Sequence, residues 1–180
     1  MRAYGLTLAA TAFALAQMTG SAARAQVVTS SGGEVAGSLQ KKIVDRMIVS
    51  DSVEIEMAKL ASTKTKNPAV RDLAALLSAG HRAHLDTLRK LAESPDVGRV
   101  ADAENASTAR TADLLRGMPA DSSFDRAFVT AQIELHQQAI DNLKKWRAAA
   151  SNPALQQDID RTIPLLEGHL TRAQAVAAKL

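Results

Sequence analysis

Four stretches of this chain carry apolar residues at alternating four- and three-residue steps, and each stripe is interrupted by an ionisable side chain. The first stripe is Ile43, Met47, Ser50, Glu54, Met57 and Ala61, and the second is Val70, Ala74, Leu77, His81, His84, Leu88 and Leu91. The third is Val129, Ile133, His136, Ile140 and Leu143, and the fourth is Leu155, Ile159, Thr162, Leu166, His169, Ala173, Val176 and Leu180. Steps of this kind return to one side of an α-helix, so each stretch presents a narrow apolar seam. Such seams must be buried against one another, which constrains the chain to helices packed on helices. Glu54, His81, His136 and His169 then face the core, where a polar group without a partner costs on the order of a few kcal/mol.

The rest of the composition agrees. Aromatic residues make up 3 % of the chain, and alanine and leucine abound, which disfavours strands. The chain contains no cysteine, so thiol catalysis and thiolate metal sites are excluded and packing alone must hold the fold. No Gly-rich phosphate loop is present, and no serine stands in a recognisable nucleophile context.

The chain opens with Met1-Arg2, followed by a mostly apolar run from about Leu6 to Met18 and then Ala23-Arg24-Ala25. A basic start, a short apolar run and a small-x-small triplet are the marks of a cleavable secretory signal, with the cut after Ala25. The run is shorter than the roughly 20 residues a membrane span needs, so no integral span is expected after cleavage. Losing residues 1–25 removes Arg2 and Arg24 and no acid, taking the formal charge from +3 to +1. With no basic run and few aromatics to stack on bases, nucleic acid is not an expected partner.

Asn67-Pro68 and Asn152-Pro153 each read as an N-cap followed by proline at the first helical position. The expected domains are a signal peptide over 1–25, a flexible Ser/Gly/Val-rich leader over 26–37 and a bundle over 38–180. Within the bundle, helices are predicted from about Ser38 to Lys66, Pro68 to Glu93, a cap at Asp121–Ser123 to Ala150, and Pro153 to Lys179. The 94–121 connection should contain a short helix near Ala101–Arg116. The predicted fold is all-α: two helical hairpins joined by a long crossover, the ferritin-like four-helix arrangement.

Glu54 lies 13 residues before Asn67 and His81 lies 14 after it; His136 lies 16 before Asn152 and His169 lies 17 after it. Each pair is therefore level within its hairpin. At ~1.5 Å rise per residue, the two depths sum to about 45 Å, close to the length of the helices. The four side chains can converge in mid-bundle. Three imidazoles and a carboxylate suit a mononuclear transition metal, Zn, Cu, Ni or Fe. The Glu-x-x-His pairs of a di-iron site are absent, since Ser78, Ile133 and Leu166 precede the three histidines by three. Two readings stay open: a metal site formed by Glu54, His81, His136 and His169, or a buried polar layer that sets helix register without metal. His84 reads as a histidine at the core edge. Gly80 and Gly168, each just before a site histidine, hint at close helix approach.

Glu54-Ile55, His81, Phe124-Asp125 with Gln132 and His136, and Ile163-Pro164 followed by His169-Leu170 together resemble the domain of unknown function 4142 family. The resemblance spans about residues 39–177. It implies a bacterial, exported protein of the ferritin-like group, with Glu54, His81, Asp125, His136 and His169 at recurrent polar positions. Asp125 is then expected to stand behind the metal ligands. The chain departs from the family pattern in having Gly80 where an aspartate is usual and Phe128 where tyrosine is frequent.

The functional expectation is a periplasmic, non-enzymatic bundle protein with a buried His/Glu cluster, serving envelope stress tolerance. The alternatives are a metal-binding protein or metal-dependent oxidoreductase using that cluster, and a protein-interaction module whose partner is unknown. The signal reading makes a direct prediction. Mass spectrometry of the protein from its native host should find Gln26 at the N-terminus, whereas an intact Met1 in the membrane fraction contradicts the reading.

Overall fold

The structure, a computed structural model, describes residues 20–94 and 106–180. Five helices occupy them, with no strand among the described residues: α1 (Gly20–Lys64), α2 (Pro68–Ala92), α3 (Ala106–Gly117), α4 (Ser122–Ala149) and α5 (Pro153–Ala177). The chain divides into two compact units, Met1–Glu34 and Val35–Leu180, and the second holds the core. No helix among the described residues is long and apolar enough to cross a membrane.

The helix starts follow the cap chemistry of the sequence. The Asn67 side chain accepts a hydrogen bond from the Ala69 N–H at 2.9 Å, and that of Asn152 from the Leu155 N–H at 3.0 Å. Asp121 does the same for α4, accepting from the Ser123 N–H at 2.8 Å. Each satisfies a backbone donor that the first helical turn leaves open.

One expectation is corrected. Residues 26–37, read as a flexible leader, lie inside α1, whose backbone is helical from Gly20. Adding residues to an existing helix needs only the propagation step and no new nucleus, so weak local periodicity did not stop it. The proposed cut after Ala25 falls within this helix, and residues 1–19 lie outside the described residues. The short crossover helix exists as α3, beginning at Ala106; residues 95–105 are likewise outside the description.

Polar contacts reveal which ends meet. The Lys64 ammonium, at the end of α1, donates to the carbonyls of Leu115, Arg116 and Met118 at 3.2, 2.7 and 2.5 Å. These are carbonyls at and just beyond the end of α3, so α1 closes that helix terminus. Lys64 also lies 5.4 Å from the centre of the Phe124 ring, which brings the start of α4 to the same end. At the opposite end Gln40 Nε2 donates to Ser151 Oγ at 3.1 Å. The Asn67 and Asn152 turns therefore sit at opposite ends of the packed helices.

The buried residues fall into two apolar clusters. One lies toward the Asn67 turn and includes Met57, Ala61, Val70, Leu73, Leu77, Phe124, Phe128, Val129, Ala173 and Val176. Within it the Phe124 and Phe128 rings stack at 6.2 Å. The other lies toward Asn152 and includes Ile43, Val44, Met47, Leu88, Ile140, Leu143, Leu155, Ile159 and Leu166. On every long helix the gap between the two clusters is filled by polar side chains: Asp51 and Glu54 on α1, His81 on α2, His136 on α4 and His169 on α5, all buried.

The two asparagine caps act at opposite ends, so their contributions should be independent. Asn67→Ala and Asn152→Ala should each cost ~1 kcal/mol, or roughly 2–4 °C in Tm for a domain of this size. The double variant should show the sum in thermal unfolding followed by circular dichroism.

Candidate metal centre

His81, His136 and His169 meet in the middle of the bundle. Their ring centres are 5.3–5.4 Å apart, and each offers one ring nitrogen such that the three nitrogens lie within 4.8 Å of one another. The convergence follows from the level pairing of the seams, with one histidine each from α2, α4 and α5.

Hydrogen bonds orient two of these rings. His136 Nδ1–H donates to the Gln132 carbonyl, one turn back on α4, at 2.9 Å. A carbonyl can only accept, so the proton is on Nδ1 and Nε2 keeps its lone pair. His81 Nδ1–H donates to Asp51 Oδ1 at 2.9 Å, which leaves His81 Nε2 facing the cluster. A carboxylate or backbone carbonyl behind each imidazole is the arrangement that fixes the tautomer of metal-ligating histidines. His136 Nε2 lies 3.3 Å from His169 Nδ1. Two nitrogens on one tetrahedral ion with bonds of ~2.0–2.1 Å are separated by about that distance. His81 Nε2 and His169 Nε2 are buried and make no hydrogen bond to another protein group.

The charge state also suits ligation. Burial, aided by the charge of neighbouring His81 and by His169, lowers the pKa of His136 to about 3. Burial and His81 lower that of His169 to about 4. Both rings are neutral at neutral pH, the form a metal requires.

Asp51 and Asp158, which sequence reasoning missed, extend the network. Asp51 Oδ2 lies 2.8 Å from His84 Nδ1, and His84 Nε2 lies 3.2 Å from Asp158 Oδ2. Thr162 Oγ1, whose proton is donated to the Asp158 carbonyl, also lies 2.9 Å from His84 Nε2. Every group facing the His84 ring nitrogens is thus an acceptor, so both nitrogens carry protons. Burial opposes that charge, but the hydrogen bonds and charges of Asp158 and Asp51 outweigh it and raise the His84 pKa to about 9. Burial likewise opposes ionisation of Asp51, and His81 and His84 outweigh it, so its pKa is lowered. His84, expected as a core-edge residue, is the cation of a buried Asp158–His84–Asp51 chain that ends on His81. Asp51 stands one residue beside the first seam at Ser50, and that offset hid it.

The remaining candidates are placed differently from expectation. Glu54 is buried beside the centre but is not in the group whose ligand atoms lie within 4.8 Å. It is Asp51, one turn earlier on α1, that reaches His81. Burial pushes the Glu54 carboxyl above its usual range, against the charge of His81 and the Gln132 amide. Asp125 lies in the first turn of α4, eleven residues before His136, roughly 16 Å along the helix, so it does not stand behind the ligands. Its carboxylate is there in a position favoured by the helix dipole.

A cavity of about 90 Å³ adjoins the centre between α1 and α4. His81, His136 and Glu54 line it, together with Arg46, Gln138 and Asn142, which are exposed. Its volume has room for several water molecules.

Fold and site together define an all-helical bundle protein with a buried tri-histidine cluster. The sequence model of the domain of unknown function DUF4142 matches residues 24–176, and the chain belongs to that family. No curated protein matches it. A crystal structure of a DUF305 fragment from Deinococcus radiodurans is similar, with a TM-score of 0.70 and 14 % identity, over 79 % of this chain and 97 % of that one. At that identity the likeness concerns the fold alone.

The two glycines beside site histidines separate cleanly. A Cβ at Gly80 would lie 2.6 Å from His169 Cε1 and Nε2, whereas one at Gly168 would meet nothing within 4 Å. Close approach is therefore real at Gly80 and absent at Gly168. Gly168→Ala should stabilise the protein by up to ~1 kcal/mol through helix propensity. Gly80→Ala should destabilise it by about 1–3 kcal/mol, because the His169 ring is displaced within a packed core. Urea denaturation of both variants checks the opposite signs.

Proposed function

We propose that this is an exported metal-binding protein of ferritin-like architecture, whose His81, His136 and His169 hold one divalent transition ion. The observation that carries the reading is the convergence of His81, His136 and His169, each offering one ring nitrogen within 4.8 Å of the others, with His81 Nε2 buried and without a hydrogen bond inside the protein. A polar layer built only to set register would pair that nitrogen, since leaving a buried donor or acceptor unpaired costs about 1–3 kcal/mol. An ion bound by three imidazoles repays that cost. Imidazole ligands without thiolates favour Zn(II) or Cu(II), with Cu(II) the tighter by the usual order of divalent affinities. The Asp158–His84–Asp51 chain carries two carboxylates and one imidazolium, a net negative charge behind His81 that complements a cation. The signal-like N-terminus supports export to the periplasm, where metals are met directly from the surroundings.

Protein purified without an affinity tag should bind one Zn(II) or Cu(II) per chain in calorimetry. At a free metal concentration a hundredfold above Kd, the fold should gain about 2.7 kcal/mol, roughly 5–10 °C in Tm. His136→Ala should lose that gain. A wild-type Tm indifferent to Zn(II), Cu(II) and Ni(II), with no stoichiometric ion, sinks the proposal and leaves a metal-free polar layer.

A further inference from the structure

We infer that the tri-histidine centre keeps one coordination position open toward α1, and that a small oxygen- or nitrogen-donor ligand, water or a small anion, binds there against Glu54. The inference rests on the metal reading above.

Three observations lead to it. First, the ligand nitrogens come from α2, α4 and α5, and none comes from α1. A first-row ion with three imidazoles still takes at least one more ligand, and three protein ligands plus an exchangeable molecule is the pattern of open sites. The unfilled side faces the remaining helix. Second, that side is where the cavity lies. It is lined by His81 and His136 at its inner end and by exposed Arg46, Gln138 and Asn142 at its outer end, so it joins the centre to the surface. Third, α1 presents two carboxylates there, and that of Glu54 keeps an oxygen without a hydrogen-bond partner. Asp51 is held by His81 and His84. Glu54 Oε2 is buried, lines the cavity and makes no hydrogen bond to a protein group, and the residue is 4 % exposed. A carboxyl buried in this way needs a partner. It lies outside the set of ligand atoms yet beside the centre, where it can hydrogen-bond a molecule bound to the ion. Arg46 at the outer end, a fixed positive charge, favours the entry of anions.

The test uses the protein loaded with one equivalent of Cu(II) and titrated with sodium azide, followed by the azide-to-copper charge-transfer absorption. The wild type should show a saturable band. Glu54→Leu should keep the copper stoichiometry, since Glu54 is not a ligand, but weaken azide at least tenfold. Glu54→Gln, which retains an N–H donor, should stay within about threefold of the wild type. Ser50→Phe, which fills the cavity from α1, should also keep copper and lose the band. Copper bound with no azide response overturns this inference and leaves the metal reading intact. Loss of copper in Glu54→Leu overturns it too, because the fourth position is then filled by Glu54 itself. A wild type that takes up no copper or zinc overturns both.

Discussion

Asp51 joins α1 to α2 by bridging His81 and His84, and the rest of the buried polar layer is arranged around that bridge. Its carboxylate sets the His81 tautomer at one oxygen and neutralises the His84 imidazolium at the other. Asp158 brings α5 into the same chain through the far side of His84. Removing one member of such a buried set would strand a charge, at a cost of about 3–5 kcal/mol. The set therefore ties three helices to one axial register: a slide of any one of them by a turn would separate ions that cannot be left unpaired.

The apolar clusters on either side supply the stability that this layer does not. Buried ion pairs contribute little net free energy because desolvation offsets their attraction. Burial of large side chains such as Phe124, Phe128, Leu73, Leu88, Leu155 and Ile159 is worth on the order of 1.5–3 kcal/mol each. With no disulfide available, these clusters have to hold the bundle, and they do so on both flanks of the polar layer. The division of labour is physical: apolar burial drives association of the helices, and the polar layer selects one alignment among those that apolar stripes would tolerate.

The centre also shows how a close backbone approach becomes part of a site. The His169 ring lies against the bare Cα of Gly80, where any β-carbon would collide with it. Glycine costs helix stability at that point, about 1 kcal/mol relative to alanine, and in exchange lets α5 place an imidazole deep between α2 and α4. The volume a side chain would need at this position is taken by the histidine ring itself. The arrangement of the three imidazoles thus depends on the packing of a residue that has no side chain of its own.

The four-three spacing determined the helices and which face of each is buried, because a helical period admits one solution for so regular a stripe. The paired depths about Asn67 and Asn152 likewise placed His81, His136 and His169 at one level, since rise per residue is constant. Cap chemistry placed the starts of α2, α4 and α5 to within a residue or two. What spacing could not decide was direction and partnership between helices. Asp51 and Asp158 lie beside their seams, so a one-dimensional stripe passes them over; only packing turned them toward His84. Glu54 was legible as buried, but whether it or Asp51 met His81 depended on a one-turn offset between α1 and α2. Asp125 shared a helix with His136 and still lay too far along it to matter to the centre. Tertiary structure decided these points because a contact between helices depends on axial shift and rotation together, and no single helix's sequence contains either.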